Sequence, residues 1–200
     1  VNAADANIVV KPVGGFLTLS AGVWNLTADK VPQKGTYYIK AGGDGDGLTV
    51  DSPLSTLAAA VTKAIADGYI AGDEVTVKAV GTEKVPIGIS VPEHAFKLIV
   101  TSNTANEATV GEGMGAALGG DTEFKNIKIY FGGDTPDTRY HNFCCAGHNV
   151  TFGEGTVYAG NPTESTFIIG TSSDSRHFTK DFTINSTIAI RNFYLGADWN

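Results

Sequence analysis

Cysteine is almost absent from this chain. Its 200 residues hold two, Cys144 and Cys145, and these are adjacent. Neighbours on a strand point to opposite faces, so a disulfide between them is strained. They read as two free thiols, one buried as a small hydrophobe. A secreted chain with no disulfide framework points to a bacterial more than an animal source. Charge is sparse as well, at 18% of residues, where a soluble domain carries about a quarter. The balance is acidic, with 14 Lys and Arg against 21 Asp and Glu and a net charge of −7. Clustered cations are missing, which excludes nucleic acid as a partner, because phosphate binding needs them. No apolar run reaches the length of a membrane span. A signal peptide is also missing. The small, polar start Val1-Asn2-Ala3-Ala4-Asp5-Ala6 reads as a mature end or a fragment boundary.

Glycine is plentiful, with 25 residues, and 42% of the chain is hydrophobic. That length and content can bury a real core without staples. Surfaces of Thr, Ser, Asn and Gly suit an extracellular β protein. Residues 1–35 read as a leader with short strands at Ile8-Val9-Val10, Phe16-Leu17-Thr18-Leu19 and Val23-Trp24-Asn25-Leu26, punctuated by Pro32 and Gly35. A β-rich run at Thr36-Tyr37-Tyr38-Ile39-Lys40 leads into the flexible loop Ala41–Gly47. Leu54, Leu57, Ala58, Val61, Ala64 and Ile65 then recur at helical spacing, which predicts one helix near 53–67. Asp51 or Ser52 is placed to cap it, Pro53 to start it and Gly68 to end it.

From Glu74 onward the pattern is alternating strands parted by Gly, Asn, Asp and Ser. The runs are 74–80, 87–91, 97–101, 124–131, 149–152, 156–158, 165–169, 182–184 and 187–190. The segment 148–157 lines up with 180–188, and 124–129 is a shorter match. Anchors at Val77, Ile99, Ile127, Val150 and Phe182 recur on the scale of one solenoid coil. Each coil exposes an apolar face that only the next can cover, so coils must stack. The expected fold is all-β, a parallel β-helix over 36–200 with one N-terminal capping helix. A β-sandwich is the alternative, since it too gives many short alternating strands.

Four features follow in order along the chain: Tyr37-Tyr38-Ile39, Gly42-Gly43-Asp44, Pro53-Leu54-Ser55-Thr56-Leu57-Ala58-Ala59-Ala60-Val61 and Gly72-Asp73-Glu74-Val75-Thr76-Val77. Together they resemble the opening motif of the pectin-lyase-like right-handed parallel β-helix superfamily. The resemblance covers about 45 residues well. It implies a right-handed coil stack whose helix closes the N-terminal mouth, in keeping with the need to cover open sheet edges. It says little of function, because the superfamily holds lyases, glycosidases, adhesins and spacers. Family enzymes continue for more coils, so the stop at Asp198-Trp199-Asn200 reads as a cut within a longer surface protein.

Two loops share a composition. Asp137, Arg139, Tyr140 and His141 form one, and Asp174, Arg176 and His177 the other. Stacked as neighbours they would make a polar patch able to bind a sugar or a carboxylate; the alternative is two unrelated surface loops. Asp134, Asp137, Asp174 and Asp181 show no coil registry that would pair them as hydrolase acids. His148 lacks the motif of polysaccharide hydrolases and reads as a coil-turn residue, while Asn149 and Asn126 read as stacked asparagines at similar coil positions that satisfy turn backbone groups. Asp44 and Asp46 offer oxygen ligands to Ca2+ but lack an EF-hand frame, so a turn is the rival reading. No other cofactor is implied. The aromatic residues Trp24, Tyr37, Tyr38, Tyr130, Tyr140, Tyr158, Tyr194 and Trp199 are candidate sugar platforms or half-buried strand residues.

These readings point to a secreted or cell-surface bacterial module that binds carbohydrate or acts in adhesion, without catalysis of its own. The partner would be a polysaccharide or a host-surface glycan. One alternative is the N-terminal part of a polysaccharide lyase or glycoside hydrolase. Another is a self-associating surface-layer or appendage subunit.

Overall fold

The structure is a computed structural model describing residues 15–28, 31–88, 90–105, 107–112, 116–131, 143–144, 147–158, 166–169, 182–184 and 192–195. The chain divides into two units, Val1–Pro32 and Gln33–Asn200. In the first, β1 (Gly15–Ser20) and β2 (Val23–Ala28) pair antiparallel, from Gly15↔Ala28 to Ser20↔Val23. The turn is Ala21-Gly22, with φ of 50° and 77°. Two positive φ values are what a tight two-residue hairpin requires.

In the second unit the chain makes repeated passes. The first pass holds β3 (Lys34–Ile39) and the helix α1 (Leu57–Ala66). The second holds β4 (Glu74–Ala79) and β5 (Lys84–Pro86). The third holds β6 (Lys97–Ser102), β7 (Thr109–Glu112) and β8 (Ala116–Ala117). The fourth holds β9 (Thr122–Lys125), β10 (Lys128–Phe131) and β11 (Phe143–Cys144). The fifth holds β12 (Val150–Phe152), β13 (Val157–Tyr158) and β14 (Thr166–Ile169). The sixth holds β15 (Phe182–Ile184) and β16 (Asn192–Leu195). Sheet I has the order β15-β12-β9-β6-β4-β3, sheet II β13-β10-β7-β5, and sheet III β16-β14-β11-β8. Every described strand pair in these sheets is parallel. A sandwich would pair its strands antiparallel. The fold is mostly β, solenoid-like, with one helix among the described residues.

The register explains the core. Tyr37 pairs with Val77, Val77 with Val100, Val100 with Phe124, and Phe124 with Phe152. All five side chains are buried. The Phe124 and Phe152 rings lie 5.7 Å apart. Burial alternates along β4, with Val75, Val77 and Ala79 inward and Glu74, Thr76 and Lys78 outward. Burying each large apolar side chain contributes about 1.5–3 kcal/mol, and stacking equivalent positions gives every pass the same dry interior.

Within the expected alignment of 148–157 with 180–188, the described residues pair in the expected register, with Val150↔Phe182, Thr151↔Thr183 and Phe152↔Ile184. Two anchors are out of register. Val150 pairs with Thr122 rather than Ile127, and Val77 with Val100 rather than Ile99. Ile127 is buried but lies past a corner. There Asn126 has a φ of 48° and its N–H donates to the Glu154 carbonyl oxygen. Asn126 and Asn149 therefore occupy different corners, not one stacked position. The run expected at 87–91 is not a strand among the described residues; β5 precedes it, and Ser90 bridges Ala117 of sheet III in parallel.

Helix α1 is shorter than expected. Its N-cap is Thr56, whose Oγ1 accepts the Ala59 N–H at 3.0 Å, not Asp51 or Ser52. Pro53 and Leu54 are held elsewhere. Leu54 bridges Ile39 in parallel and exchanges hydrogen bonds with Tyr38 and Lys40. Gly47 accepts from Tyr38 N, and Gly45 and Gly47 donate to Pro53 and Ser52. The loop 41–54 thus folds back on β3 and satisfies the outer edge of sheet I, a standard guard against edge pairing. A Cβ on Gly43 or Gly45 would run into the backbone of 52–54. Gly68, with a φ of 88°, follows the helix as expected. Leu57, Ala60, Val61 and Ala64 join the core beside β3 and β4.

Candidate functional site

The site is best built from the column of residues just outside sheet I. The pairs Lys34↔Glu74 and Glu74↔Lys97 define an outward position. Continued one residue before Leu98↔Thr122 and Thr122↔Val150, it carries on through Asp121 and Asn149. The side chains confirm this. Asp121 accepts the Asn149 N–H at 2.9 Å through Oδ1 and the Asn149 amide at 2.8 Å through Oδ2. Lys97 reaches Glu123 at 2.8 Å, and Lys34 reaches Glu74 at 3.0 Å. The Lys34 ammonium, aided by Lys97 and Lys125, holds the Glu74 carboxyl below its usual range.

One residue earlier the column turns inward. Asp73 is buried, with Oδ1 accepting the Gln33 N–H and Oδ2 the Ile70 N–H, each at 2.8 Å. Its carbonyl oxygen accepts from Lys97 N. A buried carboxylate is tolerated because it ties three chain segments together. Between these two columns lies an open groove of about 420 Å3, lined by Asp73, Phe96, Lys97, Asp121, Asn149 and Thr151 among others. Phe96 is fully buried and continues into an aromatic run. Tyr69 meets it edge-on at 6.4 Å, and Tyr37 meets Tyr69 at 6.3 Å. Tyr37 donates its O–H to Asp67 at 2.5 Å, and burial with that carboxylate pushes the phenol above its ordinary value.

The groove offers carboxylate, amide, hydroxyl and ammonium groups within one concave surface. That suits a ligand rich in hydroxyls. Asp121 and Glu123 both act as acceptors, one from Asn149 and one from Lys97. Such an arrangement orients polar groups.

The seven residues singled out in the sequence, Asp137, Arg139, Tyr140, His141, Asp174, Arg176 and His177, lie outside the described residues, as do Asp134, Asp181 and Cys145. Cys144 sits in β11. Asp44 and Asp46 are described. Asp46 Oδ1 accepts the Leu48 N–H at 3.0 Å and Asp46 N donates to Ser52 Oγ at 3.1 Å. The Leu48 amide holds the Asp46 carboxyl below its usual range. This is the work of a turn. Among the described residues no group of three or more His, Cys, Asp or Glu side chains is placed to hold a metal ion. Tyr38 faces Lys78 at 5.9 Å, and Tyr130 lies under Lys84 at 4.4 Å.

Sequence reasoning passed over Asp73, Lys97, Asp121 and Glu123. One signal was present: Asp73, Asp121 and Asn149 each stand immediately before a strand of sheet I. No family model, no curated protein and no solved structure matches the chain.

Proposed function

We propose that the second unit is a right-handed parallel β-helix of the pectin-lyase-like kind, and that it binds carbohydrate as a module of a secreted or cell-surface bacterial protein, without catalysis of its own. The observation that carries this reading is the groove beside sheet I, where Asp121 with Asn149 and Lys97 with Glu123 make a row of two hydrogen-bonded pairs. Parallel passes repeat such a row at strand spacing, about 4.8 Å. A repeating row of acceptors and donors suits a repeating polymer better than a compact metabolite. The sequence's sparse charge and hydroxyl-rich surface accord with a secreted setting.

A glycan array with and without Ca2+, spanning neutral and acidic plant, algal and host polysaccharides, tests the reading. Binding to one polymer class is expected, weakened at least tenfold by Asn149→Ala, which removes contacts worth about 1.4 kcal/mol or more. Thermal melting of the variant checks that the fold survives. Arg139→Ala and Arg176→Ala form a second arm. Loss there, with Asn149→Ala silent, moves the sugar site to the two Arg/His loops. Absence of binding to every glycan overturns the reading.

One observation favours self-association as a second reading. Ile184 continues the inward column of Tyr37, Val77, Val100, Phe124 and Phe152, yet it is 43% exposed. A core position left open invites a second copy. Sedimentation across a hundredfold range of protein concentration distinguishes a monomer from a stacking assembly.

A further inference from the structure

His94 stands in the segment that brings the chain into β6. Its ring stacks on Phe96 with centroids 4.3 Å apart and planes 17° apart. Its Nδ1 lies 3.0 Å from the Phe96 carbonyl oxygen. A carbonyl only accepts, so Nδ1 carries the hydrogen and Nε2 is left as the lone-pair nitrogen. Nε2 is buried and, among the described residues, meets no hydrogen-bond partner. The pairs Leu98↔Thr122 and Thr122↔Val150, followed two residues back, set Gly120 between Phe96 and His148 in the inward column. A Cβ on Gly120 would collide with the His94 ring. The imidazole therefore fills the gap that this glycine leaves, directly behind Phe96 and the groove. His94 N also donates to the Gly119 carbonyl oxygen at 2.9 Å.

We propose that His94 makes the groove acid-sensitive: once protonated, the ring leaves the Gly120 gap, Phe96 loses its stacking partner, and the groove loosens. The added proton goes to Nε2, where no acceptor waits. Among the described residues, the titratable and charged groups facing the ring from neighbouring passes are His148 and Asp121. Asp121 is already bonded twice by Asn149, and His148 disfavours charge on the His94 ring. Burial holds the imidazole below the ordinary histidine value, against the Phe96 carbonyl; His148 adds to the lowering and Asp121 opposes it. A folded value below the unfolded one means the contribution to stability is complete above about pH 6.5 and is lost as the pH falls below it. The consequence for binding, though not for the structure, rests on the carbohydrate reading of the groove.

The test follows amide-exchange protection in the full chain from about pH 7.5 to about pH 5, the range over which histidine changes charge. The reporting amides are His94, Thr122 and Asn149, with Val77 as a reference in β4. Protection at the three is expected to fall by up to about tenfold per pH unit below the ordinary histidine value, with Val77 flat. Binding of xylohexaose, cellohexaose and chitohexaose at both pH limits forms the second arm and should weaken in parallel. His94→Phe keeps a ring against Phe96 and should flatten both profiles. Should that variant not fold, the proton resonance of His94 Cε1–H in the unaltered chain decides. An inflection below the ordinary histidine value supports the proposal, and one above it overturns it. A flat protection profile, or an unchanged fall in His94→Phe, also overturns it. If no hexaose binds at either pH, the carbohydrate reading falls, and exchange alone decides the acid response.

Discussion

At the scale of single residues, the interior is a set of equivalent positions stacked one above another. Phe124 touches Phe152 on one side and Val100 on the other in register, and is fully buried. Phe124→Ala should therefore lower unfolding stability by about 3–5 kcal/mol, read as a shift in urea midpoint with the slope unchanged. A loss below about 1 kcal/mol, the level typical of surface changes, would mean the column collapses around the gap and is not a packed core. The inward face was legible from the sequence because Val75, Val77 and Ala79 alternate with Glu74, Thr76 and Lys78. His94 was not. The seat of its ring depends on Gly120, one pass further along the chain, and no local pattern links a histidine to a distant missing side chain.

At the scale of elements, the helix illustrates both what periodicity tells and what it leaves open. The apolar spacing identified α1 correctly, since Leu57, Ala60, Val61 and Ala64 are its buried face. It misplaced the start, because Leu54 matches the same spacing while its backbone pairs with β3. Tertiary hydrogen bonds outcompeted one more helical turn there. Thr56 holds the true N-terminus through its bond to Ala59 N. Thr56→Ala should cost about 1 kcal/mol and lower the melting temperature by about 2–4 °C in a chain of this size. Thr56→Ser should restore it, while Ser52→Ala should leave the helix unaffected in far-ultraviolet dichroism. The reverse pattern would return the cap to the expected position. Short elements were harder still. β8 and β11 have two residues each, too few to show alternation. Ile127 looked like an anchor because it is apolar and falls at coil-scale spacing. The positive φ of Asn126, which turns the chain before it, is invisible in spacing.

At the scale of the whole second unit, coverage decides where the fold is weakest. Each pass is sealed by its neighbours, so stability is a sum of local terms plus contacts between adjacent passes. The two ends of sheet I differ. Beyond β3 the loop 41–54 bonds the edge strand, and α1 packs against β3 and β4. At β15, Thr183 and Ile184 are exposed although Ile184 continues an inward column. Local opening should therefore begin at β15 and spread toward β12, with β4 and β6 the last to open. Native-state hydrogen exchange at neutral pH reads this directly. Protection is expected to rise from Thr183 through Thr151 to Val77 and Val100, spanning at least about two orders of magnitude between fraying and core amides. If the sixth pass is instead covered by a second copy, Thr183 protection should climb with protein concentration, because the partner binds only the closed form. Ile184→Asp should then abolish that climb without altering protection at Val77. Uniform protection from Thr183 to Val77, independent of concentration, would contradict pass-by-pass opening and require the unit to unfold as one cooperative body.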